Sequence, residues 1–168
     1  MSYRVEPFAA GHDLDAFDCG HDALNGWLRR HAGLAAGQGT RTYLLTDEAT
    51  GAVVGYFAVA PHLLERDDAP PGVRRGAPQR IPAILLAKLA LDTSVQGQGL
   101  GAELMVHALT TIVAAARAAG GRVVVVDAVD ENAASFYRAH DFKPSPADPR
   151  RLIMKLSTAA HGLGLEWP

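Results

Sequence analysis

Three glycines stand at alternate positions in Gln96-Gly97-Gln98-Gly99-Leu100-Gly101. That spacing leaves successive backbone N–H groups unobstructed, and the apolar helical run behind them adds the positive end of its dipole. Together these can hold a pyrophosphate. The dipole contributes roughly 0.3–1 kcal/mol, rising to ~2 kcal/mol where partly buried. The competing reading is a turn whose glycines only permit unusual dihedrals. Gly97 to Ala102 also fits the G-x-G-x-x-A pattern of dinucleotide folds. That pattern should follow its strand directly, yet Asp92-Thr93-Ser94-Val95-Gln96 intervene. The chain is also too short for two mononucleotide halves after its N-terminal part. No G-K-S or G-K-T occurs, which excludes a P-loop.

Tyr137 is the other residue whose type suits a reaction. A phenol has an ordinary pKa of about 10 and donates a proton at neutral pH. Ala133, Phe136, Tyr137 and His140 share helical spacing, so a packed core aromatic is the rival reading. No general base stands out. His62, Glu65 and Glu103 are candidates by type only. Cys19 has no base beside it that would make it a nucleophile. The seven histidines are scattered and the cysteine is single, so no metal site is expected.

Positioning these residues takes one domain, expected to span 1–168. The chain is 48% hydrophobic and 20% charged, enough for one core. With one cysteine there is no intrachain disulfide, which fits a reducing cytoplasm. No signal peptide or membrane span is expected. The net charge of −2 is an average. Residues 1–68 hold five basic and ten acidic residues, net −5. Residues 69–168 hold eleven basic and eight acidic, net +3. Positions 69–91 carry no acid but hold Arg74, Arg75, Arg80 and Lys88.

Apolar periodicity predicts a strand over 3–8, a helix over 21–36, and a hairpin of 40–46 with 52–60. Proline and glycine make 66–82 a loop with too many breakers for a helix or a central strand. The continuous apolar run 84–92 reads as a strand buried on both faces. A helix over 100–119 and a buried strand over 122–127 follow. A helix over 131–140, capped by Asp130, comes next. Final strands lie around Phe142 and over 152–156. The tail from about 157 is read as irregular. Strand–helix–strand 84–127 makes a parallel, right-handed pair in a mixed α/β (α+β) sheet with helices on both faces.

Gln96, Gly99 and Gly101, after a strand ending Leu89-Ala90-Leu91-Asp92, resemble the acyl-CoA loop of the GCN5-related N-acetyltransferases, the GNAT superfamily. Asn132-Ala133-Ala134-Ser135-Phe136-Tyr137-Arg138-Ala139-His140-Asp141-Phe142 resembles that family's N-x-x-A-x-x-F-Y-x-x-x-G-F block. Its usual glycine is Asp141 here, at a position expected to need a left-handed residue. The resemblance implies a GNAT fold, with a mixed, mostly antiparallel sheet and one parallel strand pair. It implies that Leu89, Ala90 and Leu91 pair with the pantetheine arm of acetyl-CoA. Gln96, Gly97, Gln98, Gly99, Leu100 and Gly101 would hold the pyrophosphate. Asn132 and Ser135 would lie near the thioester end, and Tyr137 would protonate the departing thiolate.

Phe17-Asp18-Cys19-Gly20 with Leu24-Asn25-Gly26-Trp27-Leu28 looks like a segment of the GNAT toxins of bacterial toxin–antitoxin pairs. The hairpin and Ile81 to Asp92 look like them too, although Lys88 stands where arginine is common. This implies acetylation of the α-amine of aminoacyl-tRNA, a ribbon-helix-helix antitoxin and a homodimer. Arg74, Arg75, Arg80, Lys88, Arg29 and Arg30 are then candidates for tRNA phosphates. Two other readings stand beside it. One is a GNAT enzyme acetylating a small-molecule amine, an antibiotic or a protein. The other is a non-catalytic acyl-CoA or antitoxin-binding module.

Overall fold

A computed structural model describes residues 2–168. Seven strands form one sheet in the order β1-β2-β3-β4-β5-β7-β6, where β1 is Tyr3–Pro7, β2 Arg41–Asp47, β3 Val53–Glu65, β4 Arg80–Leu91, β5 Val123–Asp127, β6 Lys143–Pro144 and β7 Arg151–Lys155. The helices are α1 (Asp22–Arg30), α2 (Ala32–Ala35), α3 (Pro71–Arg74), α4 (Leu100–Ala119), α5 (Glu131–Ala139) and α6 (Leu156–Gly162). The chain forms two compact units that share β3, β4 and α4. The first is Met1–Ala60 with Ala87–Ala108, the second Pro61–Leu86 with Leu109–Pro168.

In the first unit β1 pairs antiparallel with β2, and β2 with β3. Gly51, at φ +75°, closes the hairpin turn, and its N–H reaches the Asp47 carbonyl at 2.7 Å. Phe17, Cys19, Leu28, Leu44, Tyr56 and Ala90 are buried together. A Cβ at Gly55 would lie 2.9 Å from Leu91 Cδ2 and 3.2 Å from the Ala90 carbonyl. Glycine there allows β3 and the end of β4 to approach closely. The expected helix 21–36 is broken at His31, whose φ of −117° and ψ of −24° separate α1 from α2.

In the second unit β5 runs parallel to β4 and antiparallel to β7. This is the mixed, mostly antiparallel sheet with one parallel pair. Leu64, Ala77, Ile81, Ala83, Val123, Val125 and Ile153 make its core. Asp130 caps α5, accepting from the Ala133 N–H at 2.8 Å, as its position predicts. Asp141 has φ +70°, alone among the described non-glycine residues in the left-handed region. Asp141→Val puts a β-branched residue in that conformation, at a cost of about 1–2 kcal/mol. Thermal melting should show a fall of several degrees, with Asp141→Gly at or above the parent. A valine variant that melts with the parent would show that the turn rearranges freely.

Three expectations need correcting. The stretch read as a loop, 66–82, contains α3 and the start of β4. Pro71 opens α3, where its missing N–H costs nothing. Pro82 is tolerated in β4 because pairing with β5 begins only at Ala83, and its carbonyl accepts from the Arg122 N–H at 2.8 Å. The tail from 157 is not irregular. It continues as α6, which buries Leu156, Ala159 and Ala160. Nor is 84–92 buried on both faces. Ala87, Lys88, Leu89 and Leu91 are only half-buried. By length and composition α4 could cross a membrane. Its buried residues, among them Leu104, Met105, Ala108, Ile112 and Val113, recur at the spacing of a core-facing stripe.

Candidate active site

The C-terminal part of β4 has an open edge. Its pairing with β5 covers Ala83 to Leu86, opposite Val123 to Val126, yet β4 continues to Leu91. Backbone N–H and C=O groups over 87–91 are therefore left without β5 as a partner. A strand edge of this kind accepts an extended amide-bearing chain by main-chain hydrogen bonds. Leu89, Ala90 and Leu91 lie on it.

Beyond β4 the chain turns through Thr93–Val95 into the glycine loop. Gly97 and Gly99 have φ +76° and +79°, and a Cβ on either would meet nothing within 4 Å. The loop is thus a left-handed backbone facing open space. Leu100 and Gly101 begin the twenty-residue α4. The Gln96 side chain turns back onto the protein. Its side-chain amide donates to the Leu91 carbonyl at 2.9 Å and to the Cys19 carbonyl at 3.1 Å. That fastens the start of the loop to the protein.

Asp92, Asp18 and Asn25 complete this fastening, and none of the three was picked out for it from the sequence. Asp92 accepts from the Asp18 N–H at 2.8 Å and from the Ser94 N–H and hydroxyl at 3.0 and 2.5 Å. Partial burial raises its pKa, but these hydrogen bonds outweigh burial and hold it below the ordinary value. Asp18 in turn accepts from Asn25 and from the Gly20 N–H, both at 2.9 Å. Asn25 accepts from the Cys19 N–H at 2.9 Å. The available signal was the Phe17 to Leu28 block, visible only as a family likeness. Asn25→Ala strips the buried Cys19 N–H of its acceptor, costing roughly 1–3 kcal/mol. A lower melting point and weaker acetyl-CoA binding by calorimetry are expected. Wild-type values for both would show that the loop needs no such anchor.

In the second unit Tyr137 is 5% exposed. Its ring meets Phe136 and Phe142 edge-on, with centroids 5.5 and 5.6 Å away. Its hydroxyl has no hydrogen-bond partner among the described residues. It is also not an enclosed orphan, since among the described residues only Thr42 Oγ1 is one. The ring is fixed by this packing, as the packed-aromatic reading expected. Burial pushes the phenol above its ordinary pKa and keeps it protonated. Asn132 and Ser135 are exposed on the same helix. Ser135 accepts from Arg138 at 3.0 Å.

The base candidates do not fit. Arg151 Nη1 lies 3.5 Å from His62 Nε2. A guanidinium only donates, so Nε2 is the acceptor and Nδ1 carries the proton. Burial and the Arg151 charge also lower the His62 pKa. Glu65 is an exposed partner of Arg80 at 3.7 Å, and Glu103 is exposed in the first turn of α4. Cys19 is buried, and that burial raises its pKa, the opposite of an activated thiolate. No cluster of three metal-ligating side chains exists among the described residues.

The cations divide clearly. Arg29 donates to the carbonyls of Leu14, Asp15 and Phe17, and Arg74 to those of Asp67 and Ala69. Both brace backbone. Lys88 Nζ stands 5.6 Å from the centre of the Trp27 ring, which stacks on Tyr56. Arg30 and Arg75 are exposed and make no ion pair among the described residues.

The first unit thus holds an open strand edge and a left-handed glycine loop ahead of a long helix, and the second a tyrosine fixed by packing. Residues 38–144 match the acetyltransferase (GNAT) domain, and the chain belongs to the GNAT acetyltransferase family. It is 37% identical to a tRNA-acetylating toxin of Mycobacterium tuberculosis over 152 residues, covering 90% of this chain and 91% of the relative. It is 28% identical to a probable toxin TacT of Sinorhizobium fredii, covering 95% and 94%. Among solved structures, a tyrosine-to-phenylalanine variant of KacT superposes with a TM-score of 0.88 at 29% identity, covering 96% of this chain and 99% of that one. AtaT complexed with acetyl-methionyl-tRNAfMet gives 0.85 at 30% identity, covering 94% and 96%.

Proposed function

We propose that this N-acetyltransferase moves the acetyl group of acetyl-CoA onto the α-amino group of aminoacyl-tRNA, and acts in the cytoplasm as a toxin that blocks translation. The observation that carries this reading is the 37% identity, over 90% of the chain, to a tRNA-acetylating toxin. A homodimer and a ribbon-helix-helix antitoxin belong to the same proposal. The AtaT structures, which include an antitoxin complex and an acetyl-CoA complex, support the partner classes.

The residues present suit acetyl-CoA. The open edge over Leu89, Ala90 and Leu91 offers main-chain groups to the pantetheine arm. Gly97, Gln98, Gly99, Leu100 and Gly101 offer backbone N–H groups to the pyrophosphate, while Gln96 holds the loop in place. Asn132 and Ser135 serve the thioester end. When bound, acetyl-CoA supplies the acetyl thioester. Tyr137 gives its proton to the sulfur as the C–S bond breaks and the N–C bond forms. The amine's surplus proton passes to water, and Tyr137 takes a proton back from solvent. An α-amine with a pKa of about 7.7–8.0 is already partly neutral at physiological pH, so no protein base is required.

The test is incubation with acetyl-CoA and total charged tRNA, followed by mass spectrometry of the released amino acids. N-acetyl amino acids, formed less readily as salt rises, are the expected product. No product with any isoacceptor would overturn the tRNA reading and point to a small or protein amine.

A further inference from the structure

The second unit carries a cleft of about 340 Å³ away from the residues already assigned to acetyl-CoA. Arg75, Arg122, Lys155, Ser157 and Trp167 line it together with glycines, two valines and Pro168, and no aspartate or glutamate side chain does. None of the three cations has a carboxylate partner among the described residues. Arg122 reaches only the Gly76 carbonyl, at 3.5 Å. Three like charges in one concavity repel each other and focus a positive potential there. Such a cleft is stabilised by an anion. A small free anion would leave the indole unused. A nucleotide uses both parts, because phosphate oxygens suit the cations and a base stacks on the ring. The volume falls within the range of small-ligand sites.

We infer that this cleft binds a segment of RNA, with Arg75, Arg122 and Lys155 on phosphodiester oxygens and Trp167 against a base. The inference rests on the tRNA reading above and adds a docking point that the Arg74–Lys88 stretch alone did not contain. Three of its four named residues lie outside that stretch, just before β5, at the end of β7 and beyond α6.

The experiment is fluorescence anisotropy with labelled uncharged tRNA over a salt series, with no acetyl-CoA. The double variant Arg122→Gln/Lys155→Gln should bind at least about tenfold more weakly at low salt. Its log–log salt slope should be shallower by roughly two, one for each cation removed. Arg122→Lys/Lys155→Arg should retain the slope. Should the double variant fold poorly, exposed Arg75→Gln alone should lower the slope by about one. Trp167→Phe should retain affinity and Trp167→Ala should lose it. Turnover of a small amino-acid ester that lacks tRNA should be unchanged in the double variant. Unaltered tRNA affinity and slope in the variants overturn the inference, even where charged tRNA is acetylated. RNA binding that depends on these residues, in a protein that acetylates no tRNA, leaves the cleft standing and removes the proposed function. Binding of polyglutamate with no binding of RNA overturns the inference in favour of an acidic protein partner.

Discussion

Tyr137→Phe should lower kcat at least tenfold while acetyl-CoA affinity stays within about twofold of the parent. General acid assistance is worth ~10²–10⁴-fold, and each factor of ten is about 1.4 kcal/mol of barrier. The substitution is unusually clean here. The ring keeps its contacts with Phe136 and Phe142. The hydroxyl has no hydrogen-bond partner among the described residues, so its loss orphans none of them. Stability should therefore hold, and a kinetic defect cannot be blamed on unfolding. The pH profile gives a second readout. A proton donor fails when it deprotonates, and burial raises this phenol above its ordinary 10.0. Loss of Tyr137 as an acid thus lies above pH 10, and kcat should stay level from about pH 9 to pH 10, where the α-amine is almost wholly neutral. Unchanged turnover in the phenylalanine variant would remove Tyr137 from the reaction.

Gly99→Glu should weaken acetyl-CoA binding by at least about a hundredfold in calorimetry. A Cβ at this position would touch no protein atom, so the defect is not internal crowding. It has two other sources. One is the φ of +79°, which costs an L-residue roughly 1–2 kcal/mol. The other is a carboxylate brought to where a pyrophosphate is to bind, in a site whose helix dipole favours anions. Gly99→Ala separates the two, because it carries the backbone cost without the charge and should bind better than the glutamate variant. Normal affinity in Gly99→Glu would sink the assignment of this loop.

Much of the site was legible because its residues act through local sequence. The glycine loop and the Asp130 cap are each set by a few neighbouring positions and stand where spacing placed them, and the left-handed Asp141 stands where the family resemblance placed it. The fastening of the loop was not legible. Asp18 and Asp92 meet across 74 positions, and Gln96 and Cys19 across 77. No local pattern encodes such contacts. The apolar run 84–92 misled for a related reason. Its composition suits a strand with both faces covered, yet the chain leaves half of it without β5 for a neighbour. Arg29 and Arg74 looked like phosphate ligands by charge alone. Both donate to backbone carbonyls, a use that composition cannot distinguish. The tail beyond 157 looked irregular because α6 is short and owes its order to burying Leu156, Ala159 and Ala160.

The half-paired end of β4 also bears on solubility. An apolar strand with an open edge is a template for pairing with other chains. Between Ile81 and Leu91 the chain carries one charge, Lys88, which serves as a gatekeeper against such self-association. A ligand whose amides fill that edge would shield the protein from its own aggregation, so the acetyl donor would also act as a stand-in for the missing strand.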